Sequence, residues 1–213
     1  MKTFFLFLFC IISVFGISQS DKDIKLPKPI MKGGMPLMEA LKNRQTLRDF
    51  SEKKLSTQQL SNLLWAAYGI NRPESGKRTA PSAVNWQEID IYVALEKGTY
   101  KYSAKDNKLI FLNANDVRKN IGKQTFTKKA AVCLAYISDY KKMKTKDEKK
   151  DFYSATDTGF ISQNVYLYCA SENMATVVLG YINRDKIREV LGLEEHQKVV
   201  LTQCVCFEQS EFN

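Results

Sequence analysis

LKNRQTLRDF, residues 41–50, is the most informative stretch of this sequence. Arg44, Gln45, Thr46 and Arg48 place two guanidinium groups, an amide and a hydroxyl directly after an amphipathic segment with helical spacing. Two arginines this close on one turn repel each other unless an anion lies between them, and a phosphate both supplies that charge and accepts hydrogen bonds. The alternative interpretation is a solvated helix end, where arginines favour the negative end of the helix dipole.

The first 18 residues predict a secretory signal peptide. A positive start at Lys2 precedes an uncharged apolar run that ends at Ile17, and the expected cut leaves Gln19 as the first residue. The run is shorter than the roughly 20 apolar residues that a membrane-spanning helix needs. A retained N-terminal anchor is the alternative. We therefore expect an exported protein, periplasmic or secreted, with no stable membrane anchor after cleavage.

The remaining chain predicts an extended N-terminal arm, residues 19–35, followed by one domain, residues 36–213. Its net charge is +9 with Lys2 and +8 without it, which suits an anionic ligand or an anionic envelope surface. The positive charges are scattered, and no basic run is interleaved with aromatic residues as in proteins that bind single strands. We therefore expect no nucleic-acid partner.

The cysteines and the histidine give little support to a metal site. The chain has one histidine and no Cys-x-x-Cys pair, so we predict no metal. After signal cleavage four cysteines remain in apolar settings, where cysteine behaves as a small core hydrophobe: Cys133, Cys169, Cys204 and Cys206. Their low number excludes a disulfide-dense scaffold, while their pairing stays open.

The hydrophobic pattern predicts an α+β order of elements rather than a regular βαβ repeat. Helices are predicted at residues 36–44, 57–68, 119–126, 154–172 and 184–191. Strands are predicted at residues 89–95, 99–103, 108–112, 130–137 and 198–207. Between them lie a long polar loop, residues 70–87, and a solvated helix face or mobile flap, residues 141–151. The helix at 154–172 is apolar almost all round, which is typical of a central helix or a subunit interface.

Four separated motifs together resemble the FMN-dependent nitroreductase family. They are Arg44–Phe50, Ala80–Gln87, Asp157-Thr-Gly159 with Gln163-Asn164, and Val178-Leu-Gly180-Tyr. The meander with KDNKL and NDVRKNIGKQTF resembles the SagB-type branch, whose best known members oxidise thiazoline and oxazoline rings in peptides. The resemblance covers residues 36–207. It implies a nitroreductase-like fold with a central, mainly antiparallel sheet flanked by helices, and an intertwined homodimer with FMN at the interface, contacted by both subunits.

The resemblance assigns the arginine cluster to the FMN phosphate. Arg44 and Arg48 would neutralise it, and Gln45 and Thr46 would add donors to the phosphate, the ribityl chain or the pyrimidine ring. The family commonly ends its last strand with a basic residue that reaches the phosphate, whereas this chain has no lysine or arginine after Lys198. Phosphate binding would therefore depend on the two arginines, with Lys77 or Arg78 as further candidates, and loss of the cofactor is conceivable.

The flavin ring would contact the two later motifs. Asn85 is the best candidate partner for the ring carbonyls and N3–H, with Gln87 a weaker one, and Pro81-Ser82-Ala83 would lie against the ring. Leu179-Gly180 would bring a backbone N–H to N5, since glycine has no side chain in the way. The alternatives are an ordinary loop and a turn glycine. We name no catalytic residue because the cofactor carries the redox chemistry in this family.

We therefore predict an exported FMN-dependent oxidoreductase that transfers two electrons to or from a small organic substrate. Two alternatives remain: a flavin-binding carrier or sensor without turnover, and a structural envelope protein that has lost the cofactor.

Overall fold

The computed structural model of the chain describes residues 22–209. The predicted signal peptide, residues 1–18, lies outside the described residues. The helices are α1 (Leu37–Asn43), α2 (Thr57–Tyr68), α3 (Arg118–Ile121), α4 (Asp147–Ser171) and α5 (Arg184–Leu191). The strands are β1 (Ile24–Lys25), β2 (Ile70–Arg72), β3 (Lys77–Arg78), β4 (Ile89–Leu95), β5 (Gly98–Ser103), β6 (Lys108–Asn113), β7 (Val132–Asp139), β8 (Met174–Leu179) and β9 (Gln197–Phe207).

Seven of the strands form one sheet in the order β1-β6-β5-β4-β7-β9-β8, and all its pairings are antiparallel. Strand β7 is buried from Val132 to Ser138 because helices cover both faces of the sheet. Leucines of α2 and the Ile161, Val165 and Cys169 side chains of α4 pack on one face. Ile121 of α3 and the apolar side of α5 pack on the other. The predicted α+β fold with a central antiparallel sheet is confirmed.

Several local signals in the sequence act as predicted. Helix α2 begins with a capping box in which the Ser56 hydroxyl accepts the Gln59 N–H and the Gln59 side chain accepts the Ser56 N–H. Helix α5 begins at Asn183, whose side chain accepts the Lys186 N–H, and ends at Gly192 in the left-handed conformation. These short-range patterns account for the start of α2 and for both ends of α5.

Three predicted segments differ from the structure, and one strand was not predicted. The loop at residues 70–87 contains the β2–β3 hairpin. Helix α4 begins at Asp147 rather than near Ser154, inside the stretch predicted as a solvated helix face or mobile flap. The predicted helix at 119–126 is broken because α3 ends before Gly122, where an added Cβ would lie 2.7 Å from Leu179 Cδ1. Strand β8 had not been predicted, although its sequence MATVVL is a buried apolar run.

All four cysteines lie in the core, and one pair of them, whose state the sequence left open, forms a disulfide. Cys133 of β7 and Cys204 of β9 are register partners, their Cα atoms are 4.2 Å apart, and their sulfurs form a disulfide. Adjacent strands place these side chains on the same face of the sheet, which spacing along the chain does not reveal. Cys169 and Cys206 are free and buried.

Helix α4 is apolar on two sides that have different surroundings. Its inner side is buried against the sheet, whereas Phe152 and Phe160 on its outer side are 67% and 45% exposed. Leu37 and Met38 of α1, a helix that packs on α4, are also exposed. Exposed large apolar side chains on neighbouring elements are typical of an interaction surface. Within residues 22–209, no helix combines the length and apolar character needed to span a membrane.

Candidate functional site

The arginine segment lies between the end of α1 and the edge strand β8. It is fastened there by the Leu47 N–H, which donates to the Thr176 carbonyl at 3.1 Å. Arg44 and Gln45 line a cavity of 380 Å³ together with Tyr166, Thr176 and Glu208. The Arg44 guanidinium lies 5.3 Å from the centre of the Tyr166 ring, and no described carboxylate forms an ion pair with it. A half-buried, unpaired guanidinium in a polar cavity is suited to bind an anion.

Tyr166 of α4 was not predicted from the sequence, and it connects two of the motifs. Its hydroxyl is 3.0 Å from the Thr46 hydroxyl and accepts the Val178 N–H at 3.0 Å. Its ring lies beside Arg44 at the same time. Tyr166 therefore positions the arginine segment relative to the end of β8. No sequence signal pointed to Tyr166, because the face of the helix that lies toward β8 could be inferred only from the fold.

Replacing Tyr166 with phenylalanine is expected to loosen this connection. The Val178 N–H loses its acceptor, which costs about 1–3 kcal/mol of stability in a part-buried site. Any ligand held by Arg44 should bind several-fold more weakly, because the ring remains while the fixed position of Thr46 is lost. Thermal unfolding and ligand titration of both proteins measure these effects. A variant with unchanged stability and affinity would contradict the positioning role.

Arg48 does not share the Arg44 cavity, contrary to the expectation of a single anion between the two. It lines a separate cavity of 310 Å³ with Phe126, Lys128 and Lys129. The reason is the backbone: α1 ends at Asn43, and Arg44 already has an extended ψ of 117°. Residues four apart lie about 5–6 Å from each other on a helix surface, but roughly 13 Å apart along an extended chain.

The second motif forms a tight loop, residues 81–87. The Ser82 hydroxyl accepts the Gln87 N–H at 3.0 Å, and the Asp157 carboxylate of α4 accepts the Ala83 N–H at 2.9 Å. Residues 83–85 form one turn of 3₁₀ helix with left-handed conformations at Val84 and Asn85. A β-branched residue with positive φ is an uncommon, strained conformation, and such strain is characteristic of functional sites.

The two amide side chains of this loop have different roles. Gln87 accepts from the Arg78 guanidinium at 2.7 Å and donates to the Gly76 carbonyl and to Asn85 Oδ1. Its amide therefore fastens the loop to the β2–β3 hairpin rather than facing a ligand. Asn85 keeps a free Nδ2 group and is exposed beside Val84, which is 84% exposed. Of the two amides, Asn85 therefore has the donor that is still available.

The third part of the predicted site is the end of β8. Leu179 is buried beside Gly122. A Cβ added at Gly122 would lie 2.9 Å from Gln124 Oε1. That amide oxygen is buried and has no described hydrogen-bond donor, so Gln124 is a polar group that sequence reasoning missed. Gly180 is exposed, its φ is not positive, and an added Cβ would meet only Leu201 at 3.7 Å. The structure therefore gives no backbone reason for a glycine there.

Helix α4 separates the predicted residues into two half-sites. Tyr166 holds the half that contains Arg44 and Thr46, and Asp157 holds the loop at 81–87. Nine residues separate Asp157 from Tyr166, which corresponds to two and a half turns and roughly 13 Å of helix. The two half-sites therefore lie on opposite sides of α4.

A buried pair of carboxyl groups lies behind the loop. Glu88 and Asp157 are 0% and 2% exposed, and both carboxyl oxygens of Glu88 lack a described hydrogen-bond donor. Burial, together with the charge of the neighbouring Asp157, raises the pKa of Glu88 to about 7, and the charge of Lys142 opposes the rise. The first residue after the loop therefore holds a proton near neutral pH.

Three comparisons with known proteins agree on one family. A model of the nitroreductase family matches residues 41–206. A solved structure of a candidate nitroreductase from Ralstonia eutropha is 37% identical with a TM-score of 0.86, and the match covers 92% of this chain and 93% of that one. A candidate nitroreductase of Methanocaldococcus jannaschii is 28% identical over 176 residues, 78% of this chain and 88% of that protein. The NADPH:FMN oxidoreductase of Vibrio harveyi shares the fold, with a TM-score of 0.62, 18% identity and coverage of 82% and 69%.

Proposed function

This chain belongs to the nitroreductase family, and we propose that it is an exported FMN-dependent oxidoreductase that acts as a homodimer on a small organic substrate. The family assignment supports a flavin-dependent oxidoreductase in general. FMN as the specific flavin, the dimer and the export are our proposals, and each is supported by a different observation.

The residues present fit FMN at three positions. Arg44 is a half-buried, unpaired cation in a polar cavity and would bind the phosphate. Asn85 offers a free amide, and Gln124 has a buried oxygen without a donor, as needed by a ring that carries both N–H and carbonyl groups. Gly180, directly after β8, leaves open space beside its backbone. When bound, the flavin would supply the two-electron chemistry, and the protein would bind it, orient it and exclude water.

The separation of the half-sites by α4 is the observation that supports a composite site, in which residues of two protomers bind one flavin. Arg44 and Asn85 lie on opposite sides of this helix, so a second protomer is needed to place one protomer's arginine segment beside the other's loop. The exposed Phe160 of α4, Met38 of α1 and Val84 of the loop provide an apolar surface for that contact. A homodimer with flavin at the interface satisfies both features.

The disulfide supports export. Disulfides persist in oxidising compartments and are rare in the cytosol, so the Cys133–Cys204 bridge agrees with the predicted signal peptide at residues 1–18. Such a compartment has no ready pool of reduced nicotinamide nucleotide. We therefore infer that the electrons come from the substrate itself or from another donor. Oxidation of a ring, as in SagB-type enzymes, is the finer version of this proposal.

A flavin reoxidation experiment tests the proposed activity. Purified protein loaded with FMN and reduced chemically should transfer its electrons to a quinone or nitroaromatic acceptor faster than free FMN does. Bound flavin without accelerated transfer would instead support the carrier or sensor function. A protein that takes up no flavin at all would support the structural alternative. Absorbance between roughly 350 and 500 nm, set by the isoalloxazine ring, follows both binding and redox state.

A further inference from the structure

The family resemblance includes the Asp157-Thr-Gly159 motif but gives Asp157 no role. In the structure its carboxylate contacts the loop that would contact the flavin. Its Oδ2 atom accepts the Ala83 N–H at 2.9 Å, and the side chain is 2% exposed. The same loop ends at Gln87, and the next residue is the fully buried Glu88. Both the middle and the end of the loop are thus attached to buried carboxyl groups.

The Glu88 carboxyl lacks the partners that an ionised group requires. Neither of its oxygens has a described hydrogen-bond donor, and a buried carboxylate without donors or a cation is strongly unfavourable. Asp157 is close enough that its charge and a hydrogen bond both act on Glu88. One proton between the two groups satisfies both, since the protonated acid donates and the carboxylate accepts.

We propose that Glu88 and Asp157 share one proton, and that this acid pair is a positioning device for the loop at 81–87. The proposal rests on the proposed flavin site. With the proton in place, the pair carries a single negative charge, and Asp157 holds the Ala83 N–H. Without it, two adjacent buried carboxylates repel each other, and the loop loses its fixed position.

The groups around the pair come from three further elements. Lys142, in the short turn after β7, donates to Asp90 Oδ1 at 2.9 Å and approaches the Gln87 carbonyl at 3.4 Å. Its charge acts on Glu88 from a distance, but its ammonium is already occupied by these oxygens. Tyr68 of α2 has a buried hydroxyl without a described partner, and the Arg78 guanidinium lies over its ring at 4.4 Å. None of these groups donates a hydrogen bond to Glu88.

Three substitutions separate the shared proton from a general packing role. Glu88→Gln places an amide donor where the protonated acid stood, and so mimics the protonated pair at every pH. Asp157→Ala removes the acceptor of the Ala83 N–H. Asp157→Asn is the second mimic of the protonated pair, since its carbonyl can still accept from Ala83 while its amide donates to Glu88. If Asp157→Ala does not fold, Glu88→Gln and Asp157→Asn still test the shared proton.

The first readout is FMN affinity between pH 6 and 8.5. In the parent protein it should fall about ten-fold as the pH rises, equivalent to the loss of roughly one hydrogen bond. Glu88→Gln and Asp157→Asn should keep the affinity of the parent at pH 6 throughout, and Asp157→Ala should bind about ten-fold more weakly at both ends. The FMN phosphate itself ionises near pH 6. Because every protein is titrated with FMN at the same pH values, this ionisation affects all of them equally and does not alter the comparison.

The second readout needs no flavin. Trp86 lies in the loop and packs edge-on against Tyr153 at 5.4 Å, so its emission reports the loop position once Trp65 is replaced by phenylalanine. The emission should change with pH in this background and stay constant when Glu88→Gln is added. A parent whose emission does not change with pH, or a Glu88→Gln protein that keeps the parent's pH profile, would overturn the proposal. Absence of FMN binding in the parent would overturn the proposed function instead, and the emission profile would still test the pair.

Discussion

Arg44→Ala is expected to lower the affinity for FMN by roughly 100-fold, because about two charge-assisted hydrogen bonds worth about 1.5 kcal/mol each are lost. Arg44 makes no ion pair within the described chain, so the substitution should leave thermal stability nearly unchanged. Titration of the purified proteins with FMN, followed by quenching of flavin fluorescence, measures the affinity. Equal loss of stability and of FMN binding would show that Arg44 serves the fold rather than a phosphate.

Three further variants make this test specific. Lys119→Ala removes one exposed positive charge elsewhere and should have no effect on affinity. Arg48→Ala should have a smaller effect than Arg44→Ala, because Arg48 lines a different cavity. Glu208 lines the Arg44 cavity near the point where the family commonly carries a basic residue. Glu208→Gln should therefore strengthen FMN binding, and an unchanged or weakened affinity would place the phosphate away from Glu208.

Phe160→Asp is expected to convert the proposed homodimer into a monomer that remains folded. Phe160 is 45% exposed on the outer side of α4, and burying a charge in an apolar interface costs several kcal/mol, enough to raise the dimer dissociation constant about 1000-fold. Phe160→Leu is the matched control, because it keeps an apolar side chain. Sedimentation at micromolar concentration measures the association. A wild-type monomer, or a Phe160→Asp dimer, would contradict the composite site.

The same charge on the inner side of α4 should act differently. Val165 is fully buried against the sheet, so Val165→Asp is expected to unfold the chain rather than to dissociate a folded dimer. The monomer produced by Phe160→Asp should also lose FMN affinity, since each site would then lack the other protomer's loop. Circular dichroism of the two variants separates unfolding from dissociation.

Local patterns made much of the fold predictable from the sequence. The capping box at Ser56, the Asn183 cap and the alternation in the meander at residues 89–113 depend on neighbours within a few residues. What could not be predicted depends on tertiary contacts. The disulfide requires the register of β7 against β9, and the early start of α4 at Asp147 lies in a stretch whose charges look solvated.

The candidate site shows the same division. The sequence identified Arg44 and Asn85 from their chemistry and from the family resemblance. It gave no signal for Tyr166, because its role arises from contacts with residues 120 and 12 positions away. It also suggested that Arg48 acts together with Arg44, because helical spacing was assumed where the backbone is extended. Gln124 was inside a predicted helix and becomes notable only because its oxygen is buried without a donor.

Subunit complementation is the most direct test of the claim that each FMN site combines the arginine segment of one protomer with the loop of the other. Two differently tagged chains, Arg44→Ala and the loop variant Ser82→Ala/Asn85→Ala, are purified as homodimers and as a heterodimer. Both homodimers should bind FMN weakly, whereas the heterodimer should contain one intact site and bind one FMN with wild-type affinity. A heterodimer that binds FMN no better than the two homodimers would place both half-sites in the same protomer and contradict the account.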